Sequence, residues 1–153
     1  VKQLDTVDKL SLVARIDLLR ALGDTIATTA GAAKAFEATA AADSSFRTTY
    51  LLLPPAGVLA RAGNAYAIAY VQKALRDDKS HHLRAQGARA ASGVIQLATE
   101  LDGALSDTSP RVRQAALEAL ASYRGRAKPL PRRGFWFSWY YMFRFGFFCC
   151  VGL

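Results

Sequence analysis

Apolar residues along this chain recur at spacings of three, four and five, and runs alternating with period two are absent. Leu4, Val7, Leu12, Ile16, Leu19, Leu22 and Ile26 form one such stripe. It predicts an amphipathic helix over 4–29 with a wet side of Asp5, Asp8, Lys9, Arg15, Asp17 and Arg20. Residues 30–42 read as an Ala-rich continuation anchored by Phe36, and the run Asp43, Ser44, Ser45 as a stop followed by a new N-cap. Pro54 and Pro55 predict a break, because the residue before a proline is pushed out of the helical region. A helix over 56–76 follows, with Leu59, Tyr66, Tyr70, Val71 and Leu75 as its stripe and the two tyrosines as core. Ser80 is a candidate N-cap for a stretch over 81–105 interrupted at Ser92 and Gly93. Ser109 and Pro110 open a last helix ending near Tyr123, with proline at its first position. The expected fold class is all-α, a four- to five-helix antiparallel bundle or a short stack of helix pairs.

The pattern changes beyond Tyr123. Residues 134–153 read GFWFSWYYMFRFGFFCCVGL, aromatic and apolar, with no acid and one cation, Arg144. The expected organisation is a helical domain over 1–123, a basic Pro-containing linker over 124–133 and a hydrophobic aromatic tail over 134–153. Twenty helical residues rise about 30 Å, the thickness of a hydrocarbon core. An arginine near the centre of such a span costs about 2.5–3.5 kcal/mol, and each Phe offsets about 0.3–0.6 kcal/mol. Three readings stay open: a spanning anchor, a segment lying at an interface or in a groove of a membrane complex, and the abrupt composition shift that a misread frame would produce.

Charge sharpens this division. The net charge is +8. Residues 1–123 hold fourteen Lys/Arg against twelve Asp/Glu, whereas 124–153 hold six cations and no acid. Arg124, Arg126, Lys128, Arg132 and Arg133 thus form a collar beside the apolar tail, where anionic headgroups would meet them. A nucleic-acid binder spreads its cations along a face, so the expected partners are membrane-protein complex subunits and membrane lipid, with no nucleic acid. Trp136, Trp139, Tyr140, Tyr141 and Arg144 complete the expected attachment site, the aromatics as an interfacial belt.

Two stretches resemble known families. Asp107, Pro110, Val112, Arg113, Ala116 and Leu120 resemble the second helix of a HEAT-like repeat. In that family an arginine at the position of Arg113 serves the turn through hydrogen bonds. An echo at Leu75, Asp78, Leu83, Arg84, Gly87, Ala90 and Ala91 matches it at an offset of 29 or 30 residues, with one gap and His81 in place of the proline. Together the two units cover 66–123. The segment Leu83 to Arg89 also resembles an Arg-rich helix of PsbQ-like extrinsic subunits of photosystem II. That resemblance implies a thylakoid location; the expected location overall is an organellar membrane, thylakoid or mitochondrial inner membrane.

Candidate chemistry is sparse. His81 and His82 point different ways on a helix and lack further ligands at metal spacing. Asp77 and Asp78 read as solvated turn acids, and Cys149 and Cys150 have no distant partner. Gly57, Gly63, Gly87 and Gly93 read as sites of close helix packing, with a bulky pigment or lipid as the alternative. The expectation is a non-catalytic protein with no intrinsic cofactor, in contact at most with pigment or lipid of a partner complex.

Overall fold

The computed structural model describes residues 10–77 and 79–124, Arg124 by its backbone alone. Leu4 and Val7 of the first stripe, Asp78, and everything from Gly125 onward lie outside the described residues. Those residues form seven α-helices and no strand: α1 (Leu12–Ala21), α2 (Ala32–Ala42), α3 (Phe46–Arg61), α4 (Ala65–Leu75), α5 (His81–Ala90), α6 (Ala98–Ala104) and α7 (Pro110–Arg124). All-α is therefore correct, and four to five helices was too few.

Caps explain most of the boundaries. Ser11, Ser45, Asn64 and Ser80 each accept a hydrogen bond from the backbone N–H three residues on, opening α1, α3, α4 and α5. Asp43 tightens the α2–α3 corner by accepting from the Ser45 N–H and from the Ser45 and Thr48 hydroxyls. The Thr48 bond and then the two Ser45 bonds hold its carboxyl below the usual carboxylate range.

Three expectations fail, each for a local reason. The single helix over 4–29 stops at Ala21, and a 3-10 turn over Gly23–Ala27 replaces its second half. Gly23 sits at φ +50°, and the Thr25, Thr28 and Thr29 hydroxyls donate to carbonyls three or four residues back, competing with the helix. Gly31 at φ +80° then starts α2 as a separate element. The break at Pro54 and Pro55 is absent, since α3 runs through both. A proline inside a helix costs about 3 kcal/mol or more. Leu52, Leu53, Ala56, Leu59 and Ala60 of the same helix are all buried, and each buried leucine contributes about 1.5–3 kcal/mol. Tertiary packing outweighs the local penalty. The helix expected over 56–76 breaks instead at Gly63 (φ +90°), where the Gly63 and Asn64 N–H groups bond back to Ala60 and Leu59.

The core is continuous from Ile16 in α1 to Ala119 in α7. Helix α3 packs against α1, α2, α4 and α5; α5 packs against α3, α4 and α7; α6 packs against α7 and touches α4. Much of this core is alanine, so the helices approach closely. A Cβ on Gly57 would lie 2.6 Å from the Ala90 carbonyl oxygen, and one on Gly87 3.0 Å from the Leu75 nitrogen. These two glycines admit a neighbouring helix, whereas Gly63 and Gly93 serve turns at positive φ. Overpacking costs about 1–3 kcal/mol and a Gly→Ala change returns about 1 kcal/mol of helix propensity. The 2.6 Å clash is with backbone, which puts Gly57 in the upper part of that range, so Gly57→Ala is expected to lose about 1–2 kcal/mol net, read as a lower urea midpoint; an unchanged or higher midpoint would mean that the α3–α5 crossing gives way freely.

Candidate functional site

A concavity of about 570 Å³ lies where the α2–α3 corner meets α4 and the turn into α5. Tyr66 and Tyr70 stand one turn apart on α4 and stack at 6.5 Å. Fully buried Phe36 of α2 meets both edge-on, at 6.1 and 5.4 Å. The tyrosines are thus not simply core: Tyr66 is 40% exposed and lines the groove, as does Phe46, 51% exposed. The Tyr70 hydroxyl is buried, and the Thr49 side chain beside it falls outside ordinary hydrogen-bond geometry. Burial raises this phenol above its usual value; Thr49 opposes the shift, while Tyr66 and Asp43 add to it.

Three charged groups line the opening. Lys73 and Lys79 are exposed on its wall and rim, and neither forms an ion pair among the described residues. Asp77 also lines it, but its Oδ1 accepts from the Lys79 and Ser80 N–H groups at 3.0 and 2.7 Å. It is a half-buried turn acid rather than a solvated one. Asp43 is similarly engaged at the start of α3. Both acids offset the positive end of a helix.

A second cleft, about 470 Å³, carries Arg20, Arg61 and Arg89 with Asp24. The three arginines sit in the last turns of α1, α3 and α5. Each helix end carries about half a negative charge. Three such ends and Asp24 nearly cancel three guanidiniums, so this cleft is close to neutral and its arginines serve the helix ends.

A third cluster joins two turns. Arg84 of α5 donates to Asp107 through Nε (2.6 Å) and Nη2 (3.0 Å), and through Nη1 to the Asp77 carbonyl (2.9 Å). Asp107 also accepts from the Ser109 N–H, and Arg113 Nη1 donates to the Asp107 and Thr108 carbonyls. The Arg84 bonds, above all, hold the Asp107 carboxyl below its usual range. Glu100 is lowered too, first by a hydrogen bond from Gln72, and its bonds to Gln72 and Arg76 tie α6 to α4.

The other expected positions resolve simply. His81 and His82 are exposed in the first turn of α5, with ring centroids 4.0 Å apart instead of pointing apart. Among the described residues no three His, Cys, Asp or Glu side chains are grouped to hold a metal ion. Among the same residues no helix is long and apolar enough to cross a membrane. Arg124 ends α7, with its side chain outside the description. Arg126, Lys128, Arg132, Arg133, Trp136, Trp139, Tyr140, Tyr141 and Arg144 lie outside the described residues altogether.

The groove was hidden in sequence because its parts come from three places: Phe46 at a helix start, Tyr66 and Tyr70 on α4, and Lys79 in a turn. The spacing of Tyr66, Tyr70 and Lys73 on one face of α4 was the available signal. Set against family models, curated proteins and solved structures, the chain matches none of them.

Proposed function

We propose that the protein is a non-catalytic accessory subunit of a membrane-protein complex in an energy-transducing membrane, thylakoid or mitochondrial. Its helical domain bridges or stabilises neighbouring subunits, and residues 124–153 attach it to subunits and lipid. The observation that carries this reading is the separation of charge: six cations and no acid in 124–153, against fourteen and twelve in 1–123. A near-neutral helical domain joined to a basic, aromatic segment suits attachment to an anionic surface. Pigment or lipid of the partner complex would meet the aromatic segment. Truncation after Tyr123 tests the attachment: the shortened protein is expected in the soluble fraction and the full chain in the membrane fraction. Full co-purification of the shortened protein with membranes would overturn the attachment role.

A HEAT-like adaptor, binding a partner protein through a stack of helix pairs, is the second reading. Three successive hairpins favour it, α2–α3, α4–α5 and α6–α7, because α3, α5 and α7 pack in series. The two later turns also share a device. Arg84 bonds the Asp77 carbonyl seven residues back, and Arg113 bonds the Asp107 carbonyl six residues back. The one-residue difference is the gap in the sequence echo, and it pairs Asp107 with Asp77 instead of Asp78. A stack needs three or more units to bury a continuous core, and three hairpins supply that number. The two readings are compatible, since a bridging module is what such a stack provides.

A further inference from the structure

We propose that the outer face of α7, carrying Gln114, Leu117 and Ala121, is the docking surface for residues 139–153 of this chain, which cover it as α7 covers α5. This goes beyond the attachment reading and concerns the protein away from a membrane.

The packing of α5 identifies the face. Helices α3, α5 and α7 lie in series with their C-terminal ends together: Arg61 of α3 donates to the Ser92 carbonyl at 3.4 Å, and the Ser92 hydroxyl donates to that of Ser122 in α7 at 2.8 Å. The Tyr123 hydroxyl also bonds the Ala91 and Val94 carbonyls at the end of α5. Gly87 and Ala90 of α5 meet α4 and α3, on the side of the preceding hairpin. Ala85, Ala88 and Ser92 share a different face, at spacings of three and four. Ser92 on that face touches α7, and Ala85 and Ala88 are buried.

An offset of 29 residues carries Leu83, Arg84, Gly87 and Ala90 onto Val112, Arg113, Ala116 and Ala119. It carries Ala85, Ala88 and Ser92 onto Gln114, Leu117 and Ala121. All three of these are exposed, Leu117 at 60%. The last unit of a stack needs a polar outer face. Here a leucine stands where α5 has a covered alanine, so α7 ends the series with a face suited to being covered.

The occupant follows from the same offset. It carries α7 (Pro110–Arg124) onto 139–153, which read WYYMFRFGFFCCVGL, apolar and aromatic apart from Arg144. Fourteen residues, 125–138, join the two. They reach about 46 Å when extended, whereas α7 is about 22 Å long, so 139–153 can start beside Pro110 and run parallel to α7. A segment tethered in this way meets the face at an effective concentration on the order of millimolar. A second copy in dilute solution does not compete with that.

Cysteine crosslinking of the full chain tests the register. Cys149 and Cys150 are the only cysteines. The offset carries the Ser92–Ser122 contact onto Ala121 and Val151, which brings Ala121→Cys within disulfide reach of Cys150 or its neighbour Cys149. Micromolar protein without membranes is oxidised by diamide, which takes up the two protons and two electrons of each thiol pair, and the disulfide is mapped by mass spectrometry. An intramolecular link from position 121 is expected to form about tenfold faster than one from Ile95→Cys. Ile95 is 69% exposed and follows Val94, which Tyr123 contacts, so a segment without a fixed place would reach it as readily. Adding Leu117→Glu to Ala121→Cys should bring its rate down to that of Ile95→Cys. Leu117, Ala121 and Ile95 are all exposed, so these substitutions leave the core intact. Equal rates at Ala121→Cys and Ile95→Cys, or a disulfide that joins two chains at this dilution, would overturn the proposal.

Discussion

Replacing Arg124, Arg126, Lys128, Arg132 and Arg133 together by glutamine should weaken partition onto anionic vesicles by roughly three to four orders of magnitude. A Lys or Arg near an anionic membrane surface contributes about 1 kcal/mol, and about 1.4 kcal/mol is a factor of ten. Five such groups therefore correspond to about 5 kcal/mol where all reach the headgroups. Partition onto neutral vesicles should change far less, because the aromatic residues of 134–153 are untouched. The wild-type affinity should also fall with ionic strength, since the Debye length shortens from about 10 Å at 0.1 M to about 3 Å at 1 M. Vesicle flotation over a salt series measures both effects. A loss below tenfold on anionic vesicles would mean that the collar faces protein or water.

The second large effect is expected at Asp107. Its side chain is 12% exposed and that of Arg84 is 16% exposed, so the pair is largely removed from water. Breaking a buried pair costs about 3–5 kcal/mol because the remaining charge is stranded. The residual exposure here reduces the expected loss to about 2–3 kcal/mol for Asp107→Ala, read from urea unfolding. Replacing both partners, as Arg84→Met with Asp107→Leu, should cost clearly less, because no charge is left unpaired. The pH dependence follows from the same contact. The Asp107 carboxyl is lowered in the folded state, chiefly by Arg84. Its contribution is thus complete above the unfolded carboxylate value of about 3.9 and is lost as pH falls through the lower folded value. The stability difference between wild type and Asp107→Asn should shrink below about pH 4. A difference that stays constant from pH 7 to pH 3 would contradict the assigned ion pair.

Local signals in the sequence were legible where side chains act on their own backbone. Ser45, Ser80 and Pro110 marked three helix starts because capping is a contact over three residues. The break at Gly63 and Asn64 used the same chemistry and was overlooked beside the louder Pro54 and Pro55. Those prolines misled because their penalty is local, whereas Leu52, Leu53 and Ala56 repay it through contacts with distant helices. The close glycine contacts were anticipated at Gly57 and Gly87, but sequence does not tell which helix approaches. The Arg84–Asp107 pair spans 23 residues and the groove joins four helices and a turn, so neither has a sequence period to reveal it.

The chain holds two tryptophans, Trp136 and Trp139, and both lie in 134–153. Tryptophan emission from the full chain therefore reports on the attachment segment alone. Titration with anionic vesicles should move the emission to shorter wavelength, and brominated acyl chains should quench it, as rings at the membrane interface would require. Emission unchanged by vesicles and unquenched by brominated lipid would contradict membrane attachment through this segment.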